Sequence, residues 1–219
     1  MVPNIFITIS MEGPMSEEEK VPEHKAMIDV RLAVTYDPAL LRRLWTYTAA
    51  VDTEISGIGE VRIDGQNFHL PDDMHMLKQE GHIAGTHLDV SKVADLVHDF
   101  IKAGKTPKKL KFWYHTHPGI GRDAVYFSGT DTATIAKLNR DFGDPWIAGV
   151  FSRDGWSHWG ISRQGTMIYE WDYMIPGTVP TEQELEQAEE FLKPLVQEWN
   201  FRSSSRRVLR RMGFRRHGW

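Results

Sequence analysis

Ile28, Val30, Leu32 and Val34 alternate with polar neighbours, a period of two that predicts a half-buried strand. Directly after it, Leu41, Leu44, Trp45 and Thr48 recur at helical spacing, and Asp37 is placed to cap a helix over Pro38 to Val51. A second amphipathic helix is predicted over Ser91 to Ala103, with Val93, Leu96, Val97, Phe100 and Ile101 on its apolar side and His98 on its polar side. The apolar run Leu110, Phe112, Trp113 and Tyr114 reads as a buried strand. Ile135 and Leu138 then mark a helix that starts at Ser128, continues to about Asp141 and is ended by Gly143-Asp144-Pro145. Three strands follow: Trp146 to Ser152, Trp156 to Ser162 after an Asp154-Gly155 turn, and Thr166 to Tyr173 after Gln164-Gly165.

The remaining stretches are less regular. Asn4 to Ser10 is β-branched and aromatic, a further strand, and Met11 to Lys25 reads as an exposed polar connection. Asp64-Gly65 predicts a hairpin turn, whereas Pro71 to Thr86 has no legible period. Thr181 to Glu184 is a capping box opening a helix whose apolar face runs Leu185, Ala188, Phe191, Leu192, Leu195, Val196 and Trp199, kinked at Pro194. Together these elements predict an α/β fold, a mixed sheet with helices packed on it, from Met27 to Tyr173.

Composition narrows the chemistry. The 219 residues, 41% hydrophobic and 26% charged, suit a globular protein of one large or two small domains. Cysteine is absent, which excludes disulfides, thiol catalysis and thiolate-held metals, so any metal must rest on histidine and carboxylate. No apolar run reaches membrane-span length and Val2 to Ile9 lacks the pattern of a secretion signal, so a soluble, cytoplasmic chain is expected. From Arg202 onward there are seven arginines and no acid; with a net charge of −4 overall, residues 1–201 carry −11. The basic tail could contact nucleic acid or another polyanion, or dock on the protein's own acidic surface, since Val208, Leu209, Met212 and Phe214 interleave the arginines.

The candidate chemistry lies in Phe112 to Asp131. His115 and His117, two apart on an extended backbone, point to one side while Thr116 faces away. Pro118 stops the strand, Gly119 and Gly121 allow a tight, mobile connection, and Ser128 and Asp131 share the first turn of the next helix. Two histidines and an aspartate with a fourth position open form a catalytic zinc set. Ser-x-x-Asp is equally a capping box, so the pair has two readings. His69, His75, His82 and His87 share no spacing that fixes them on one face, and no second metal site is expected from them. Trp146, Trp156, Trp159 and Trp171 read as core and strand packing, and His158 beside them as structural.

His115-Thr-His-Pro118, a loop, and Ser128-Gly-Thr-Asp131 together resemble the motif of the JAMM (MPN-plus) metalloproteases. The loop, Gly119 to Phe127, is somewhat longer than is usual there. The resemblance implies a cytidine-deaminase-like α/β/α sandwich over 27–175, with 1–26 an N-terminal strand and linker and 176–219 a C-terminal helix and Arg-rich tail. It also implies a glutamate facing the metal at the start of the strand after the first helix. Glu54 fits that place, and Glu60, past Gly57 and Gly59, is its competitor. Zinc on His115, His117 and Asp131 would then acidify a water, Glu54 would move its proton, and Ser128 would stabilise the oxyanion as a helper rather than a nucleophile. The resemblance implies hydrolysis after the tail of a ubiquitin-like protein. The alternatives are a phage or bacterial assembly protease and a non-catalytic MPN-type scaffold.

Overall fold

The computed structural model describes residues 4–9, 30–82, 85–86 and 90–198. The chain runs β1 (Asn4–Ile9), β2 (Val30–Tyr36), α1 (Pro38–Ala50), β3 (Ser56–Glu60), β4 (Arg62–Asp64), β5 (Asn67–Leu70), β6 (Met74–Met76), β7 (Gln79–His82) and β8 (Gly85–Thr86). It continues through α2 (Val90–Lys102), β9 (Leu110–Thr116), α3 (Gly129–Phe142), β10 (Trp146–Phe151), β11 (Trp156–Arg163), β12 (Thr166–Met174), α4 (Glu182–Leu192) and β13 (Val196–Glu198). This is the expected mixture of helices and mixed sheets. Among the described residues no helix is long and apolar enough to cross a membrane.

The organising unit is a six-stranded sheet in the order β12-β11-β10-β9-β3-β6. β9 and β10 are parallel neighbours joined through α3, and the other pairs in this sheet are antiparallel. β9 is buried along its whole length, as its continuous apolar run requires for a central strand. Its side chains alternate between two cores. Phe112 and Tyr114 pack with Leu40, Leu41, Leu44 and Trp45 of α1, together with β2 and β5. Trp113 packs with Val93 and Phe100 of α2 and Ile135 and Leu138 of α3. His115 and His117 continue the Trp113 side, which aims them toward α3.

α1 starts where the sequence places it: the Asp37 carboxylate accepts the Ala39 N–H at 2.8 Å, and Leu41, Leu44, Trp45 and Thr48 are buried. The Asp64-Gly65 hairpin forms, with Gly65 at a φ of 58° that its turn demands.

Two expectations fail, and one illegible stretch is resolved. Pro71 to Thr86, without a readable period, holds short strands: β6 pairs with β3, and β7 with β8 and β13. These strands are too short for a period to emerge. In α2, Ile101 is 59% exposed, because the helix meets the core along a stripe centred on Val93 and Phe100. The C-terminal helix does not continue through a kink at Pro194. It ends at Leu192, and Val196 to Glu198 form β13, parallel to β7. Proline removes a helical N–H, and the next residues gain ladder partners instead. α4 packs on α1: Leu185 and Ala188 bury against Ala50, Phe191 stacks on Tyr47 at 5.3 Å, and Arg42 pairs with Glu184. Ile28, the 11–25 connection, His87, Trp199 and the arginine-rich tail lie outside the described residues.

Candidate metal centre

Three of the expected residues come together. Each of His115, His117 and Asp131 offers a ligand atom, and these atoms lie within 4.8 Å of one another. His115 Nε2 is 3.2 Å from Asp131 Oδ1, and His117 Nε2 is 3.7 Å from Asp131 Oδ2.

The local sequence fixes each of them. His115 is the next-to-last residue of the buried β9, fully enclosed, with the Trp113 ring flat against it at 4.3 Å. His117 leaves the strand but keeps a strand-like contact, its N–H donating to Phe151 C=O at 2.9 Å. Its Nδ1 lies 2.9 Å from Ala124 C=O. A carbonyl only accepts, so Nδ1 carries a proton, which leaves Nε2, facing Asp131, as the nitrogen open to an ion once it is deprotonated. Asp131 sits on the first turn of α3. Ser128 Oγ accepts the Asp131 N–H at 3.3 Å, and Asp131 Oδ2 accepts the Ser128 N–H at 2.7 Å, a complete capping box. The capping reading of Ser-x-x-Asp holds, and it does not preclude the other: capping occupies Oδ2 and leaves Oδ1 3.2 Å from His115 Nε2.

These residues fit a metal ion. Neither ring nitrogen of His115 has a hydrogen-bond partner among the described residues, although the side chain is wholly buried. A buried, unpaired polar atom is costly, and an ion between Nε2 and the carboxylate would satisfy it. Protonation states agree. Burial pushes His115 down, toward the neutral, ligating form. Burial alone would raise the Asp131 carboxyl, but the pull of His115 and His117 outweighs it and holds Asp131 well below the ordinary carboxylate range. Burial alone would also lower His117, yet Asp131, the Ala124 carbonyl and Glu54 together raise it. An ion must displace that proton.

Glu54 lies in the turn between α1 and β3, just before the strand rather than on it, and is close enough for its charge to act on His117. Register explains this: Ser56 pairs with His115, so the residues just before β3 reach the level of His117. Glu60 stands at the far end, opposite Leu110 and 3.8 Å from His75. The loop after Pro118 is tied down rather than free. Arg153 N–H donates to Gly119 C=O at 3.1 Å, Gly121 N–H to Asp154 at 2.9 Å, and Arg122 to Asp172 at 2.6 Å. His158 joins that network through Asp172 at 2.7 Å and Glu170 at 2.8 Å. His69 and His75 stay apart, the former bonded to Thr35. The sequence gives no sign of Ala124 or of Tyr126, which is 56% exposed with its ring edge-on to His117 at 5.2 Å; both act through loop geometry.

Fold and site define a class: an α/β protein with a buried His-His-Asp group, set between the end of a central strand and the start of the following helix, that could hold a divalent ion. Over 151 residues, 66% of its length, the chain is 28% identical to COP9 signalosome complex subunit 5 of Caenorhabditis elegans, and it spans 39% of that relative. This similarity supports the family resemblance read from the motif. No family model matches the chain.

Proposed function

We propose that the chain is a zinc-dependent peptidase of the JAMM type that hydrolyses a peptide or isopeptide bond after the tail of a ubiquitin-like protein. In this reading 27–175 is the catalytic unit, a cytidine-deaminase-like sandwich, and 176–219 is an addition to it. The observation that carries it is the buried His115, His117 and Asp131 group, in which neither His115 nitrogen makes a hydrogen bond and Nε2 faces Asp131 Oδ1 at 3.2 Å. The similarity to the signalosome subunit adds to it.

Zinc, when bound, supplies Lewis acidity for the attacked carbonyl and lowers the pKa of water in its coordination sphere toward ~7. His115, His117 and Asp131 would hold it, His117 with its tautomer set by Ala124. Glu54 accepts the proton of the attacking water as the oxygen–carbon bond forms, and delivers it to the amine nitrogen as the carbon–nitrogen bond breaks. Ser128 donates its hydroxyl to the carbonyl oxygen as negative charge builds there. Its Oγ already accepts from Asp131 N–H, which turns the hydroxyl hydrogen away from the helix.

The test is cleavage of a ubiquitin-like protein fused through its C-terminal tail, by wild type and by Glu54→Gln. The reading predicts release of the fused partner by wild type and a rate ~10²- to 10⁴-fold lower for Glu54→Gln, with metal content unchanged. Equal rates for both would contradict the role of Glu54. Stoichiometric metal without cleavage would move the substrate to another protein class.

A further inference from the structure

Building on that reading, we infer that Gln79 and Thr116 are positioning residues for Glu54, clamping its backbone from opposite sides. The segment 53–56 is held on both edges, by the backbone and one side chain of β9 on one and by a side chain standing in for a strand on the other. On the β9 side, Thr116 Oγ1 accepts the Ile55 N–H at 3.0 Å, and Thr116 N–H donates to Ile55 C=O at 3.0 Å. The same hydroxyl reaches Thr53 C=O at 3.4 Å. Thr116 is the residue between the two histidines, so one side chain ties the Glu54 segment to the backbone that carries the candidate ligands.

The opposite side would otherwise be an open sheet edge. β6 pairs with β3 only over Gly57 to Gly59, and its last residue, Met76, faces Gly57. Ser56 is therefore left with an N–H and a C=O pointing where a neighbouring strand has already ended. Gln79 fills the gap. Its Oε1 accepts the Ser56 N–H at 2.6 Å, and its Nε2 donates to Ser56 C=O at 2.7 Å and to Leu77 C=O at 2.9 Å. A carboxamide offers a donor and an acceptor side by side, as a peptide group does, so it can replace the missing strand at one residue. Gln79 is 7% exposed and Ser56 is buried, so water does not compete for these bonds.

The clamp is itself anchored from the C-terminal end of the described chain. Gln79 N–H donates to Leu195 C=O at 2.9 Å, and Gln79 lies opposite Val196 in the β13–β7 pairing. The segment after α4 thus acts on Glu54 through a single side chain. A carboxylate that must take and give a proton depends on sub-ångström placement, and a backbone shift of ~1 Å can cost ~10²-fold in rate. Neither Gln79 nor Thr116 belongs to the His-His-Asp group, so losing the clamp should spare metal binding.

The experiment loads wild type, Glu54→Gln, Gln79→Met and Thr116→Val with Co(II) as a spectroscopic probe, and follows its visible absorption against pH alongside Co(II) affinity. Met and Val keep side-chain volume while removing the hydrogen bonds. The expected result is a titration midpoint displaced in both clamp variants in the same direction as in Glu54→Gln. Co(II) affinity should change by less than the ~10-fold that loss of a ligand-supporting contact brings. On the fusion substrate, kcat should fall ~10-fold or more with KM unchanged. A wild-type midpoint in both clamp variants, with a displaced one in Glu54→Gln, overturns the clamp alone. An undisplaced midpoint in Glu54→Gln overturns the role of Glu54 and the clamp with it. Should Gln79→Met fail to fold, Thr116→Val decides between the same outcomes.

Discussion

Asp131 caps α3 with one carboxylate oxygen and, in the proposed site, would hold the ion with the other, and Ser128 shares the cap. Ser128 caps α3 and, in the proposed mechanism, also steadies the oxyanion, so Ser128→Ala mixes a folding effect with a catalytic one. Glycine separates them. At an N-cap, alanine costs ~1 kcal/mol but glycine only a few tenths. We expect Ser128→Ala to lower stability by ~1 kcal/mol and Ser128→Gly by far less, measured by urea denaturation. Both should lose ~10²- to 10³-fold in cleavage rate. A Ser128→Gly enzyme that cleaves at the wild-type rate would assign Ser128 to capping alone. The same local field sets the pH response of metal binding. Because Asp131 and Glu54 raise His117 above its ordinary value, protons compete with the ion increasingly as pH falls through that raised value. Metal affinity measured by competition with a chelator should weaken on acidification, and the weakening should set in at lower pH in Glu54→Gln, where His117 loses a charge that favours its proton. At this scale the candidate ligands were legible because strand alternation and helix phase fix His115, His117 and Asp131 from spacing alone. Ala124 and Gln79 were not, since one acts through a carbonyl and the other through a contact with no sequence period.

Helix α4 shows how an element can be half legible. Its start was written in Thr181 to Glu184, which form a capping box, and Leu185, Ala188 and Leu192 are buried as their spacing requires. Its end was not, because Leu195 and Val196 continue the apolar count while Val196 opens a strand beside β7 and the Leu195 carbonyl accepts the Gln79 N–H. Helical phase cannot register a partner strand that lies far away in sequence. Phe191, 47% exposed, is likewise held by Tyr47 rather than by the helix's own apolar stripe. The docking of α4 on α1 also has a titratable contact. Arg42 meets Glu184 through two nitrogens, at 2.9 and 2.6 Å, and Arg42, followed by the Thr181 N–H and hydroxyl, pushes the Glu184 carboxyl down to about 2 from 4.5. A depressed carboxylate stabilises the fold above its ordinary value and loses that contribution as pH falls, here between 4.5 and about 2. Glu184 is partly exposed, so the effect is modest, below ~1 kcal/mol. Wild type and Glu184→Gln should therefore differ in stability at neutral pH and converge across that window, followed by thermal melting. A constant difference down to the acid end would show that the pair contributes nothing through charge.

The two faces of the six-stranded sheet do different work. The α1 face holds Trp159, fully buried, within ring contact of Tyr36, Phe112, Phe151 and Trp171. The opposite face carries α2, α3 and the His-His-Asp group. Trp159→Ala should cost ~3–5 kcal/mol in denaturant unfolding, since its cavity would touch most of that aromatic cluster. A loss under ~1 kcal/mol would mean that the face is loosely packed. The mixed sheet, its central strand and the crossover through α3 could be read from apolar runs and turn residues. The pairing of β13 with β7 and the ties on the 119–127 loop could not, because they join segments that no local pattern connects.

The proposed chemistry depends on the binding of an ion by His115, His117 and Asp131. The most direct measurement is elemental analysis of purified wild type, Glu54→Gln and His117→Ala after growth and dialysis with ample zinc. Wild type and Glu54→Gln should each carry one zinc per chain, and His117→Ala should lose it with the fold intact by circular dichroism. Wild-type protein without stoichiometric metal, or a His117→Ala variant that keeps it, would contradict the account at its centre.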